Sequence, residues 1–219
     1  MSIVRNIVII YFCLINSALA ESNKWSNYIN QHVGAPLYYL HESALYLFPS
    51  QCPNCRAFSF GSGPGNEEID LVKKGWVVTS NDINPASGKI ITERAKIFHG
   101  RFEFQNVDFA SIKLTGQYDY FFSFFALPFG DKKVVQKLVR HMSLYSKKDT
   151  LIALNFFGPE HDSVKKGIAF SMEQEEVVKL LESNRFKIIY ILRHIYDKVD
   201  VEGVMTHWDV IDVMARKKF

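Results

Sequence analysis

Three short segments hold residues that could do chemistry together. The first is Ala57-Phe58-Ser59-Phe60-Gly61-Ser62-Gly63-Pro64-Gly65-Asn66, an apolar run that passes straight into a glycine turn. Gly61 and Gly63 lack a Cβ, so the backbone there can turn tightly and lie close to a ligand. The second is Asp82, which follows the apolar run Trp76 to Ser80. An acidic side chain at the end of a second strand can accept two hydrogen bonds from ribose hydroxyls. The third is Asn106-Val107-Asp108-Phe109, where a carboxylate could accept from an adenine amino group and a ring could pack on the base. Taken singly, Gly-x-Gly reads as a plain turn, and an Asp after a strand as a helix cap. Three such features at the ends of three successive strands converge on one sheet edge and point to a nucleoside.

The choice of nucleoside follows by elimination. A dinucleotide fingerprint wants Gly or Ala as its third small residue, and Asn66 stands there. No second large domain is available for a dehydrogenase substrate. No Gly-x-x-x-x-Gly-Lys-[Ser/Thr] occurs, so a phosphate-cradling P-loop is excluded. NAD and ATP are disfavoured, and S-adenosylmethionine (SAM) remains.

Phe58 to Asn66, Val77 to Pro85 and Asn106 to Phe109 resemble the first three motifs of class I SAM-dependent methyltransferases. Further segments are similar to the tellurite-resistance-type branch of that superfamily: Tyr118-Asp119, Ala126-Leu127-Pro128-Phe129, Phe156-Phe157-Gly158, Asp162-Ser163 and Thr206-His207-Trp208-Asp209-Val210 with Ala215-Arg216-Lys217. The resemblance implies a Rossmann-like three-layer α/β sandwich with a seven-stranded sheet in the order 3-2-1-4-5-7-6. It also implies methyl transfer from SAM to a small-molecule acceptor. Carried over by position, Gly61, Ser62 and Gly63 would line the methionine and ribose portion, and Asp82 would hold the ribose. Ile83, Asp108 and Phe109 would contact the adenine, and Ser123 and Phe124 would sit under the sulfonium end. One departure stands out. Members of the superfamily usually carry an acid two residues before the first glycine, at the position of Ser59. The hydroxyl keeps a hydrogen-bonding group there but loses the charge.

The elements that must position these residues are legible in hydrophobic period. Trp25 to Leu47 reads as two short helices divided by Pro36. Strands are expected at Arg56–Phe60, Trp76–Ser80, Phe102–Gln105, Tyr118–Phe124 and Thr150–Phe156. Helices are expected at Asn66–Lys74, closed by Gly75, and at Pro85–Phe98, Asp131–Tyr145 and Glu173–Ser183. Phe186–Ile195 and Thr206–Ala215 are strand-like, with a polar segment from Asp197 to Gly203 read as a hairpin loop. Alternating β and α predicts a mostly parallel sheet under helices, and the late hairpin makes its last strand antiparallel.

Length and composition bound the rest. The 219 residues, 47% hydrophobic and 22% charged, suit one globular domain. A net charge of +3 is too small to argue for nucleic acid. The first 20 residues differ in kind. Arg5, the apolar stretch Ile7 to Ile15 and Ala18-x-Ala20 form the three-part pattern of a secretory signal, with cleavage expected after Ala20 and a single domain over residues 21–219. The stretch is too short for a permanent span, and no second long apolar segment follows. An exported chain is therefore expected, a cytoplasmic one if the signal is unused. Export favours a disulfide in Cys52-Pro53-Asn54-Cys55, and only distant His32 and His41 could complete a zinc site; inert thiols, redox chemistry and metal binding stay open. No metal constellation is apparent. SAM is made in the cytoplasm, so a rival reading is an exported protein that keeps the fold and binds without catalysing. A catalytic base is needed only if the acceptor loses a proton. His161, His207 and Asp162 are candidates, each read first as structural, as a loop hydrogen bond or a surface position.

Overall fold

The computed structural model describes residues 25–49, 52–200 and 203–218. The expected signal segment lies outside them. Helix α1 covers 25–31 and α2 covers Tyr39–Leu45, on either side of Pro36. There follow β1 (Arg56–Phe60), α3 (Asn66–Lys73), β2 (Val77–Asn81), α4 (Pro85–Ala95), β3 (Arg101–Gln105) and β4 (Tyr118–Ser123). A 3-10 turn at Leu127–Phe129 leads to α5 (Lys132–Leu144), β5 (Ser146–Phe157), α6 (Asp162–Lys165), α7 (Gln174–Ser183), β6 (Phe186–Val199) and β7 (Met205–Lys217).

The seven strands form one sheet in the order β3-β2-β1-β4-β5-β7-β6. The β1–β2, β2–β3, β1–β4 and β4–β5 pairs are parallel, whereas β7 runs antiparallel to both β5 and β6. Side chains alternate between two cores. Phe58, Phe60, Phe121, Ile152 and Val213 pack against Leu138, Val139 and Val177 of α5 and α7. Ala57, Val78, Tyr120, Phe122 and Ala153 pack against Leu40, Leu71 and Ile91 of α2, α3 and α4. Burial on both faces explains why the central strands read as unbroken apolar runs.

Local chemistry sets the helix starts. Asn84 accepts from the Ala86 amide at 3.0 Å ahead of Pro85, and Asp131 accepts from the Lys133 and Val134 amides. Glu173 and Glu176 form a capping box on α7. Cys52 and Cys55 are joined by a disulfide just before β1.

The expected hairpin loop needs correction. Pairing of β6 with β7 continues to Val199 opposite Met205, so Asp197 to Val199 belong to a strand. On β6 this distal end is exposed at every position from Ile195 to Val199 and shows no period-2 pattern. The backbone ladder and the stacked cross-strand pair Tyr196–Trp208 sustain it instead. β5 likewise starts earlier than expected, at polar Ser146, and α4 stops at Ala95, short of Phe98.

Candidate functional site

The glycine turn leaves the carboxyl end of β1 with Gly61 at φ +70° and Gly63 at φ +50°. The Gly61 and Ser62 amides both donate to the Asn81 carbonyl at 3.0 Å, which ties the turn to the end of β2. The two glycines do different things. A Cβ on Gly61 would lie 2.3 Å from the Ala126 Cβ, so this position is closed by packing. A Cβ on Gly63 would meet nothing nearer than the Tyr28 ring at 3.9 Å, so the backbone there is bare toward the space beneath α1.

Asp82 holds the turn in place. One carboxylate oxygen accepts from the Gly63 amide at 2.9 Å and the other from the Asn84 amide at 2.8 Å. Burial pushes its pKa up, and those two amides oppose the shift. Each oxygen keeps a second lone pair, which leaves capacity for a diol. Ile83 beside it is 74% exposed, an apolar side chain offered to the cleft mouth. Asn106 donates to the Asp82 and Ile83 carbonyls, both at 2.9 Å, so the third segment braces the second. Asp108 is exposed and accepts from the Ser111 amide at 2.9 Å. Phe109 is half-buried, with its ring against Gly61 and Gly130. Ser62 is buried. The Ser123 hydroxyl is buried too and donates to the Phe60 carbonyl at 2.7 Å. Phe124 packs on Tyr38 with ring centroids 5.0 Å apart. The nine expected cofactor positions thus border one sheet edge.

Around Ser59, singled out in the sequence, lie groups that the sequence reading missed. Ser59 is 2% exposed, and its hydroxyl is in hydrogen-bonding reach of Glu68 on the first turn of α3. Glu68 is itself 1% exposed, and its Oε2 has no partner among the described residues. Burial, reinforced by the Glu67 charge, pushes its pKa up to about 8. From sequence it is an ordinary acid near a helix N-terminus. The usable signal was the pairing of a missing acid at Ser59 with an acid three residues past Gly65.

The second group gathers around Asp212, which lies within β7 opposite Asn155 of β5. Asp212 is fully buried and accepts from the Tyr38 hydroxyl at 2.9 Å and from the Tyr39 hydroxyl, with His194 Nε2 at 3.2 Å. Burial and then Asp212 raise the Tyr38 pKa far above its usual value; burial and then the hydrogen bond to Asp212 do the same for Tyr39. Both are firmly protonated donors. Tyr38 also packs edge-on to Phe125, whose amide donates to Asn155 Oδ1 at 2.7 Å. Tyr38 links the two halves of the edge, because its own amide donates to Glu67 Oε1 at 2.9 Å.

The three candidate bases are not brought together at the turn. Asp162 Oδ2 accepts from the His207 amide at 3.0 Å, and the His207 ring meets Asp197 at 2.7 Å on the distal hairpin. His161 is buried and stacks on Phe157 at 3.6 Å, and its Nδ1 accepts from the Ser163 amide. Burial holds its pKa down to about 4, so it is neutral at pH 7. A cavity of about 390 Å³ lined by Gln174, Val178, Lys179 and Glu182 is formed by one side of α7 and includes no residue of the turn. Among the described residues, no group of three His, Cys, Asp or Glu side chains is placed to hold a metal ion.

A family model described as tellurite resistance protein TehB matches residues 49–183. Among solved structures, TehB from Haemophilus influenzae superposes with a TM-score of 0.71 at 17% identity, covering 84% of this chain and 63% of that one. This chain therefore spans less than two thirds of the length of that relative. A SAM-dependent methyltransferase from Methanosarcina mazei gives 0.62 at 18% identity, covering 83% and 98% of the two chains. The 1,6-didemethyltoxoflavin-N1-methyltransferase of Burkholderia thailandensis, solved with 1,6-didemethyltoxoflavin and S-adenosylhomocysteine, gives 0.66 at 13% identity, covering 95% and 89%. At these identities the superpositions speak for the fold. No curated protein matches the chain.

Proposed function

Because the chain belongs to the tellurite resistance protein TehB family, we propose that it is a methyltransferase that takes SAM as donor and a small molecule as acceptor. The observation that carries this reading is the Asp82 carboxylate hydrogen-bonded to the Gly63 amide, with Gly63 bare of side chain and Asn106 bracing the same carboxylate's backbone. Three strand ends are thereby tied together at one edge of the sheet, where a nucleoside would bind. Gly61, Ser62 and Gly63 line the methionine and ribose portion, and Asp82 receives the ribose hydroxyls. Ile83, Asp108 and Phe109 border the adenine, while Ser123 and Phe124 underlie the sulfonium end. SAM supplies a methyl group already activated on a positive sulfur. The protein's part is alignment and exclusion of water, which lowers such a barrier by about 7–11 kcal/mol.

Tyr38, Phe124 and Phe125 wall the side of the edge nearest Asp212 and are the acceptor's natural neighbours in this reading. The Burkholderia relative, solved with a small heterocyclic acceptor, supports a small molecule here. Isothermal titration of the mature domain with SAM tests the donor assignment. Saturable one-to-one binding is the expected result, and its absence defeats the enzyme reading in favour of a protein that keeps the fold for another ligand. Export is part of the same proposal. It is supported by Arg5, Ile7–Ile15 and Ala18-x-Ala20, and by the Cys52–Cys55 disulfide, which suits an oxidising compartment. N-terminal sequencing of the mature protein should begin at Glu21; an intact Met1 in the cytoplasmic fraction rules export out.

A further inference from the structure

Glu68 is a buried carboxyl that the fold does not use. It sits in the first turn of α3, immediately after the glycine turn. Helix side chains lean toward the N-terminus, and the N-terminus of α3 opens directly from the glycine turn. Ser59 faces it from β1, two residues before Gly61. The surrounding charges are committed elsewhere. Arg94 of α4 donates to the Pro64 carbonyl at 2.6 Å and to Asn66 Oδ1 at 3.1 Å. Glu67 accepts from the Tyr38 amide, and Asp82 from Gly63 and Asn84. Tyr120 approaches from β4 with its hydroxyl 3.4 Å from His41 of α2. None of them is bonded to Glu68 Oε2, which has no partner among the described residues. Burying an unpaired carboxyl is costly, and a sheet-facing helix position is ordinarily filled by an apolar side chain.

We propose that Glu68 is the carboxylate that receives the ammonium group of SAM's methionine end, entering the turn from the helix rather than from the strand. This rests on the SAM reading above and adds a residue to it. The charge missing at Ser59 is restored by α3, and the Ser59 hydroxyl becomes the hydrogen-bonding partner that orients it. The empty protein holds Glu68 in its protonated form at neutral pH, because burial disfavours the charge. A cation arriving at the turn reverses that balance. The carboxyl then gives its proton to solvent as the ion pair forms, so binding is linked to proton release, and affinity rises with pH until Glu68 is ionised in the empty protein as well.

Isothermal titration separates the possibilities. At pH 6.5, titrating the parent with SAM in buffers of different ionisation enthalpy should show release of about one proton; Glu68→Gln should show about one proton less. The variant is isosteric with the protonated acid and should remain folded. Its SAM affinity should fall at least tenfold, while 5′-methylthioadenosine, which lacks the amino-acid end, should bind both proteins alike. Equal SAM affinities, equal proton release, or equal loss of both ligands overturns the proposal and leaves the SAM reading standing. A parent that binds 5′-methylthioadenosine and SAM with no proton release overturns it without recourse to the variant. A parent that binds no SAM defeats both.

Discussion

Asp209 on strand β7 and Glu68 on helix α3 are both buried carboxyl groups, and the fold treats them in opposite ways. Asp209 of β7 is held by Arg193 of β6 through two 2.7 Å contacts and by the Glu160 amide at 3.0 Å. Burial works to raise its pKa, but Arg193 and the amide outweigh it and leave the value below normal. Gly158 is matched to it, since a Cβ there would lie 2.2 Å from the carboxylate. Glu68 has the Ser59 hydroxyl and its own backbone amide within reach, but its Oε2 has no partner among the described residues. The hairpin end has finished its electrostatics within the chain, whereas the turn end has left part of its own open. A fully satisfied buried acid holds elements together; an under-satisfied one at a strand-end cleft is poised for a ligand.

The largest test of that contrast is removal of Arg193. Arg193→Ala strands a buried carboxylate and should cost about 3–5 kcal/mol in urea unfolding. A loss below 1 kcal/mol would mean that Asp209 is no more committed than Glu68.

The glycine turn divides along the same line. Gly61→Ala places a Cβ 2.3 Å from Ala126 at a positive φ, and should destabilise the fold by about 2–3 kcal/mol from strain and overpacking together. Gly63→Ala has room for its methyl and should cost only the backbone term, about 1 kcal/mol, yet weaken SAM binding by crowding the bare face. Equal melting temperatures for the two variants would erase the distinction.

Glu68 and Asp209 should also respond oppositely to pH. With its folded value raised to about 8, Glu68 keeps a proton that the unfolded chain gives up above about pH 4.5. Its contribution is fully present below that value, and stability declines by up to about 1.4 kcal/mol per unit as pH rises toward 8. Asp209, with its folded value depressed, contributes stability above its unfolded value and loses it as pH falls through the folded one. Glu68→Gln should flatten the decline on the alkaline side in denaturant melts at pH 5, 6, 7 and 8. An unchanged slope would show that the Glu68 carboxyl is already ionised in the fold.

The smallest expected effect separates ligand contact from structure on the donor side. Asp82→Ala removes an acceptor of charge-assisted hydrogen bonds and should lower SAM affinity at least tenfold, or about 1.4 kcal/mol. Asp70, on the same α3 helix, is occupied by Lys74 and His41, and Asp70→Ala should leave affinity within twofold. Matching losses would move the cofactor away from the turn.

What was legible in the sequence was what depends on near neighbours. β1 was bounded correctly at both ends and α3 to within a residue, because an apolar run meeting Gly61, Gly63 and Gly75 leaves little choice of backbone. Asp82 was placed at a strand end by the same local logic, and its partner Gly63 lies only 19 residues away. The polar half of the β6–β7 hairpin was missed because an exposed ladder needs no hydrophobic period. The acid-binding arrangements depend on distance in sequence. Tyr38 and Asp212 are 174 positions apart and meet only when α2 is laid across the C-terminal edge of the sheet. Glu68 lies close to Ser59 in sequence, yet whether its carboxyl faces solvent or the sheet is decided by how α3 rolls against β1 and α4. Sequence by itself determined the strand order's ingredients, the turn and its carboxylate, since backbone geometry and short-range hydrogen bonds are local. The tertiary structure alone decided which acids are answered and which are left open, since burial and pairing belong to surfaces that exist only after packing.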